Sequence, residues 1–229
     1  SGMQVIASTG LWREPFYPPS VAERSVDEIT TRLVDDIRVG ILGTEVRAGV
    51  IGEIGSESSG ISPIQKKAFR ACAAAAVETD VAIVTHTPEG IDALAQLDLI
   101  IGCDVAPERI LIGHVDCADE LETHAEIARR GAFVGYDRVG NVAYQPEEVR
   151  LRLVLQMLER GYASQLILSL DLASAARLQV GGQAGFAYLF EVFIPELRKR
   201  GVDDATVWQL MVANPARLLT GTTLPVPGT

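Results

Sequence analysis

Short, continuous runs of β-branched and apolar residues alternate along this chain with longer stretches of helical period. The runs are Gln4–Thr9, Ala48–Gly52, Ala82–Thr85, Ile110–Gly113, Phe133–Tyr136 and Leu166–Leu170. Each is continuous and not an alternation of apolar with polar, which marks strands buried on both faces of a parallel sheet. Between them, Ser25–Val39 begins on a serine with Glu28 three residues further on, the spacing of a capping box. Pro63–Glu78 opens on a proline suited to the first helical turn. Gly40, Gly131, Gly161 and Gly201 punctuate helix ends. Repeated βα units predict an α/β domain, either an open doubly wound sheet or a closed eight-stranded barrel.

In both architectures the ligand site forms at the carboxyl ends of the strands. Four apolar runs finish there on a carboxylate or an imidazole, namely Glu53, His86, His114 and Asp171. Carboxylates mixed with imidazoles suit Zn, Mn, Fe, Co or Ni at a hydrolytic centre. Each residue alone has a blander reading: a strand-end histidine can simply be packed, and an acid there can cap the following loop. A closed barrel converges all its strand ends on one axis, so four ligands on four strands favour the barrel. His124 falls in the polar run DELETHAEIARR and is expected on a solvated helix face. The glycines of QVGGQAGFAYL match no phosphate-binding pattern and are expected at most to form a mobile substrate loop.

Composition narrows the class. With 229 residues, of which 48% are hydrophobic and 22% charged, the chain can bury the core of one domain, and disorder is excluded. Residues 1–229 are expected to form that single domain, with a frayed tail from Leu224 to Thr229. No apolar run approaches the ~18 residues of a membrane span. The net charge of −10 repels phosphate backbones and anionic lipid, so neither nucleic acid nor membrane is an expected partner. Three cysteines, none in a CxxC pair, fit reduced thiols in a cytoplasm. Cys72 is expected in the core, and Cys117 near the site because it follows His114.

In chain order, the segments ASTGLW (7–12), RAGVIGEIG (47–55), VTHT (84–87), ILIGHVD (110–116), GYDRVG (135–140), LILSLD (166–171), FIPEL (193–197) and NPARLL (214–219) carry a resemblance. Together they resemble the phosphotriesterase-related branch of the amidohydrolase superfamily. That resemblance implies a (β/α)8 TIM barrel holding two divalent ions, zinc foremost, with a metal-bridging hydroxide that attacks a phosphotriester, lactone or related ester. It implies that His86 and His114 hold the more exposed ion. It further implies that Asp171 binds the buried ion and takes the proton, that Glu53 bridges the two ions, and that Arg138 reaches the substrate. Where well-known relatives bridge with a carbamylated lysine, the only lysines here are Lys66, Lys67 and Lys199, all in helical segments. The motif GEIG resembles instead the subgroup bridged by glutamate.

One departure stands out. The family takes two further ligands from an HxH pair on its first strand, and this sequence contains no HxH. The resemblance therefore aligns the six strands with the third to eighth of the barrel, an incomplete barrel lacking its first two βα units. The expected function is a metal-dependent hydrolase of a lactone or carboxylic ester, less so of a phosphotriester, working as a homodimer. The alternative is a catalytically incomplete fragment or a non-catalytic metal-binding paralogue. An open-sheet cofactor protein would need a Gly-rich first βα turn, which ASTGLW does not provide.

Overall fold

The computed structural model describes residues 2–178 and 185–225. The elements run β1 (Ala7–Thr9), α1 (Ser20–Glu23), α2 (Val26–Arg38), β2 (Ala48–Gly55), α3 (Pro63–Thr79), β3 (Ala82–His86), α4 (Ala93–Ile101), β4 (Ile110–Ile112), α5 (Leu121–Arg129), β5 (Phe133–Tyr136), α6 (Glu147–Glu159) and β6 (Leu166–Leu168). After these come a π turn (Leu189–Phe193) leading into α7 (Ile194–Lys199), then α8 (Asp204–Trp208), a second π turn (Gln209–Ala213) and α9 (Asn214–Thr220). Residues 179–184 of the glycine-bearing segment and residues 226–229 of the tail lie outside the described residues.

Local chemistry starts the helices where the sequence placed them. Ser25 caps α2 by accepting the Glu28 amide while Glu28 Oε2 accepts the Ser25 amide, a reciprocal box. Ser62 and Gln65 repeat the device at α3, ahead of Pro63. The strands differ at their edges: β1 is shorter than the apolar run around it, and β2 continues past Gly52 through Glu53 to Gly55.

All strand pairs are parallel, and in the order β1 to β6 every sheet neighbour is also the next strand in sequence. A doubly wound sheet would reverse direction part-way, so sequential order identifies consecutive staves of a (β/α)8 barrel, incomplete among the described residues. The two faces of each strand carry separate cores. Ile83, Ile110, Ile112, Val134 and Leu166 point out against the helices, whereas Ala82, Leu111, Phe133 and Ile167 point in and meet Leu218 of α9. Each large apolar side chain so buried contributes roughly 1.5–3 kcal/mol. α9 is tied across the amino ends of the strands: Asn214 donates to the Leu166 carbonyl, and Arg109 Nη1 to that of Leu218. That end is plugged, which leaves the carboxyl ends for a site.

Candidate metal centre

β2, β3 and β4 deliver three ligand-type side chains to one point. Glu53 Oε2 lies 3.3 Å from His86 Nδ1, and Glu53 Oε1 lies 3.6 Å from His114 Nε2. The two imidazole nitrogens are 2.9 Å apart. All three ligand atoms fall within 4.8 Å of one another, the spread expected of donors converging on a single ion. His86 is the last residue of β3; Gln96 on α4, fully buried, donates to its backbone carbonyl and so anchors the strand end. Its ring packs edge-on against that of His114 at 4.6 Å and against Trp12 at 5.6 Å.

His114 sits just past β4 in the left-handed region, φ 62°, a conformation that an L residue keeps only when its surroundings hold it there. Asp137, immediately after β5, supplies the hold. Its carboxylate accepts the His114 backbone N–H at 3.0 and 3.2 Å, and its Oδ1 lies 2.7 Å from the ring Nδ1. Nδ1–H thus donates to Asp137, and Nε2 faces Glu53 and His86. Gly113 and Gly135 make room for that carboxylate, since a Cβ at either would come within 3.0 or 2.7 Å of Asp137 Oδ2.

The electrostatics of the cluster call for a cation. Burial works to raise the Glu53 carboxyl, but the His114 and His86 rings override it and bring it down to about 2. Burial also disfavours charge on His114, yet Asp137 and then Glu53 lift its imidazole to about 10. One half-buried acid beside an oriented imidazole, with a second acid behind, is a pocket that a divalent ion would fill in place of a proton. Two nitrogens and a carboxylate form a borderline donor set of the kind zinc and its neighbours take.

The cluster lines a cavity of about 830 Å³. Asp171, after β6, is on its wall and accepts from Arg138 Nε at 3.0 Å, outside the three-residue cluster. Arg138 is buried, its guanidinium 4.0 Å from the centroid of the Tyr144 ring and its Nη1 3.6 Å from Cys117 Sγ. Burial pushes that thiol up to about 12, so it stays protonated. Trp12 and Arg13 also line it, the latter held bidentately by Glu57.

The residues singled out from the sequence therefore share one cavity, with Glu53, His86 and His114 in mutual reach and Asp171 paired with Arg138 beside them. Cys72 is in the core as expected. His124 is not on a solvated face: it is 1% exposed, with Nδ1 2.8 Å from the Tyr136 hydroxyl. The period of α5 explains the difference, because His124, Ala125, Ile127 and Ala128 form its inward stripe. Burial lowers its pKa to about 4 and keeps it neutral. Asp137 went unselected although the strand-end pattern marks it, as the first residue after the apolar run FVGY.

A parallel βα barrel with imidazoles and carboxylates gathered at its strand ends defines a barrel built around a metal centre. The chain belongs to the phosphotriesterase family, whose family model matches residues 1–219. It is 36% identical over 217 residues to the phosphotriesterase homology protein of Escherichia coli (strain K12), covering 95% of this chain and 74% of that protein. The crystal structure of the Escherichia coli phosphotriesterase homology protein, complexed with phosphate in its active site, superposes with a TM-score of 0.93 over 96% of this chain and 76% of that one, at 36% identity. An aryldialkylphosphatase of Saccharolobus solfataricus is 29% identical over 227 residues, 95% of this chain and 72% of its own. A lactonase from Listeria monocytogenes matches with a TM-score of 0.90 at 26% identity, over 97% of this chain and 74% of that one.

Proposed function

We propose that residues 1–229 act as a metal-dependent hydrolase domain on a lactone or carboxylic ester, with a phosphotriester as a poorer substrate. The observation that carries this reading is the convergence of Glu53, His86 and His114 within 4.8 Å in the lining of a cavity of about 830 Å³. A cavity of that size accommodates a small-molecule ester. Glu53, His86 and His114 would hold a divalent ion, zinc foremost, and the Glu53 carboxylate would serve a second ion as well where two bind. Such ions, when bound, supply Lewis acidity and activate water near neutral pH. The protein's own part is orientation and proton transfer. Asp137 fixes the His114 tautomer, the buried Arg138 meets the oxygen of the substrate, and Asp171 accepts the proton of the attacking water.

The kinship with a lactonase at 26% identity and an aryldialkylphosphatase at 29% supports ester hydrolysis without choosing the acyl or phosphoryl group. A second reading draws on Asp171, whose pairing with Arg138 outside the cluster fits a chain that holds one ion and turns nothing over. One experiment separates the two. The zinc-reconstituted protein and His114→Ala are assayed for metal content and against a panel of lactones, carboxylic esters and phosphotriesters. Hydrolysis of lactones with two ions per chain, both lost in His114→Ala, supports the proposal. One ion and no turnover supports the second reading, and full metal occupancy in His114→Ala removes that histidine from the ligand set. We further propose a homodimeric, cytoplasmic protein. All three thiols are free and no described helix is long and apolar enough to cross a membrane.

A further inference from the structure

Part of the cavity lining comes from the segment from Arg138 to Gln145, between β5 and α6. It has no regular secondary structure, yet it carries Arg138, Asn141 and Tyr144 into the cavity. Something other than a ladder of hydrogen bonds must fix it. Behind it lies Arg150, a fully buried arginine on the first turns of α6. Burying a guanidinium is unfavourable unless its donors all find partners, and here two of the partners are carbonyls of this segment. Arg150 Nη2 donates to the Asn141 carbonyl at 2.9 Å and Nη1 to the Gln145 carbonyl at 2.8 Å. Nε donates to Asp116 Oδ2 at 2.7 Å, and the same Asp116 oxygen accepts the Arg138 backbone N–H at 3.3 Å. The middle and end of the segment are thereby tied to one planar group, and its start to the Asp116 carboxylate that this group holds.

A neighbour reinforces the arrangement. Glu147 Oε2, 3.6 Å from Arg150 Nη1, accepts the Gly140 N–H at 2.9 Å. What these ties hold in register is the stack of Arg138 against Tyr144. Arg150 does not itself line the cavity, and its fork geometry, two parallel carbonyl contacts plus a carboxylate, is one that lysine's single ammonium cannot reproduce.

We propose that Arg150 is a positioning residue: it fixes the Arg138–Gln145 wall and through it the fit of substrate against Arg138 and Tyr144, without a part in metal binding. The role in substrate fit rests on the hydrolase reading above; the role in holding the wall does not.

The test uses the zinc-loaded chain and two variants. Arg150→Lys keeps the charge opposite Asp116 but loses the fork; Glu147→Gln leaves the Arg150 fork in place and weakens the Gly140 tie together with the longer contacts of Glu147 to Arg150 and Tyr188, so it serves if the first variant does not fold. Hydrogen exchange should accelerate about tenfold or more over residues 138–145 in Arg150→Lys, with β4, β5 and the rest of α6 unchanged. Zinc affinity should stay within about twofold. For lactones that the wild type hydrolyses, KM should rise about tenfold while kcat holds within about threefold, the pattern of lost positioning and intact chemistry. Unchanged exchange over 138–145, or acceleration spread across all elements, would overturn the proposal, as would a fall in zinc affinity matching the loss of turnover. A wild type inactive on every ester would overturn the hydrolase reading, while the exchange measurement would still decide the role of Arg150.

Discussion

Asp137 offers the most direct test of how the centre is built. Its carboxylate makes three contacts with one residue, two to the His114 backbone N–H and one, at 2.7 Å, to the imidazole Nδ1. Replacing it by alanine removes the acceptor that fixes the ring's tautomer and the contact that holds a left-handed φ of 62°. Loss of a carboxylate partner behind a ligating histidine lowers metal affinity about 10–100-fold, which is roughly 1.4–2.8 kcal/mol at 1.4 per tenfold. Asp137→Asn keeps an acceptor for Nδ1–H without the charge and should fall between the two. Titration of the metal-free protein with zinc against a competing chelator gives the dissociation constants directly. Melting temperatures of the metal-free variants separate a local change from a general loss of fold. An Asp137→Ala protein that binds zinc within about twofold of the wild type would refute the reasoning, since His114 would then be oriented by something else.

Two further outcomes are expected. Asp171→Asn retains an acceptor for Arg138 but cannot take a proton, so kcat should drop about a hundredfold or more while KM changes about threefold or less; an unchanged kcat would send the proton elsewhere. His124 should leave a mark on acid stability. Its pKa is near 4 when folded against 6.5 as the ordinary value, so the unfolded chain takes the proton first as pH falls. The stability carried by the neutral ring is complete above pH 6.5 and drains between 6.5 and 4, by about 3 kcal/mol in all. Denaturant titrations at pH 7 and pH 4.5 should show the wild type losing about 2–3 kcal/mol more than His124→Asn, and equal losses would assign the effect to another group.

Much of this could be read from the chain because parallel strands are buried on both faces and announce themselves as continuous apolar runs. All six runs contain strands, and the four ligand-type residues that follow or end them, Glu53, His86, His114 and Asp171, line one cavity. The signal was weaker where tertiary context decides. β1 is confined to Ala7–Thr9 within a longer apolar run because only those residues find a partner in β2. His124 looked solvated because its neighbours in sequence are charged, and it is α5's stripe, not local polarity, that decides burial. Arg150 could not be singled out at all. Its neighbours in sequence, Glu147 and Glu148 before it and Leu151 and Leu153 after it, read as an ordinary amphipathic helix. Its importance lies in carbonyls of Asn141 and Gln145 that only a folded loop presents.

The same limits explain why the two halves of the cavity have different architectures. Ligand atoms that must converge within a few ångströms come from strand ends and the residues next to them, Glu53 within β2, His86 closing β3 and His114 just past β4, where the ladder of the sheet sets their spacing. Another part of the cavity lining, Arg138, Asn141 and Tyr144, comes from a loop, whose shape can vary without disturbing that ladder. A loop needs its own fixation, and two buried acids on neighbouring turns provide the join. Asp137 ties the segment after β5 to His114, and Asp116, two residues past His114, ties the same segment to Arg150. Substitutions in Asn141–Tyr144 should therefore shift substrate preference while leaving the ligand triad in place, provided that Asp116, Asp137 and Arg150 are kept.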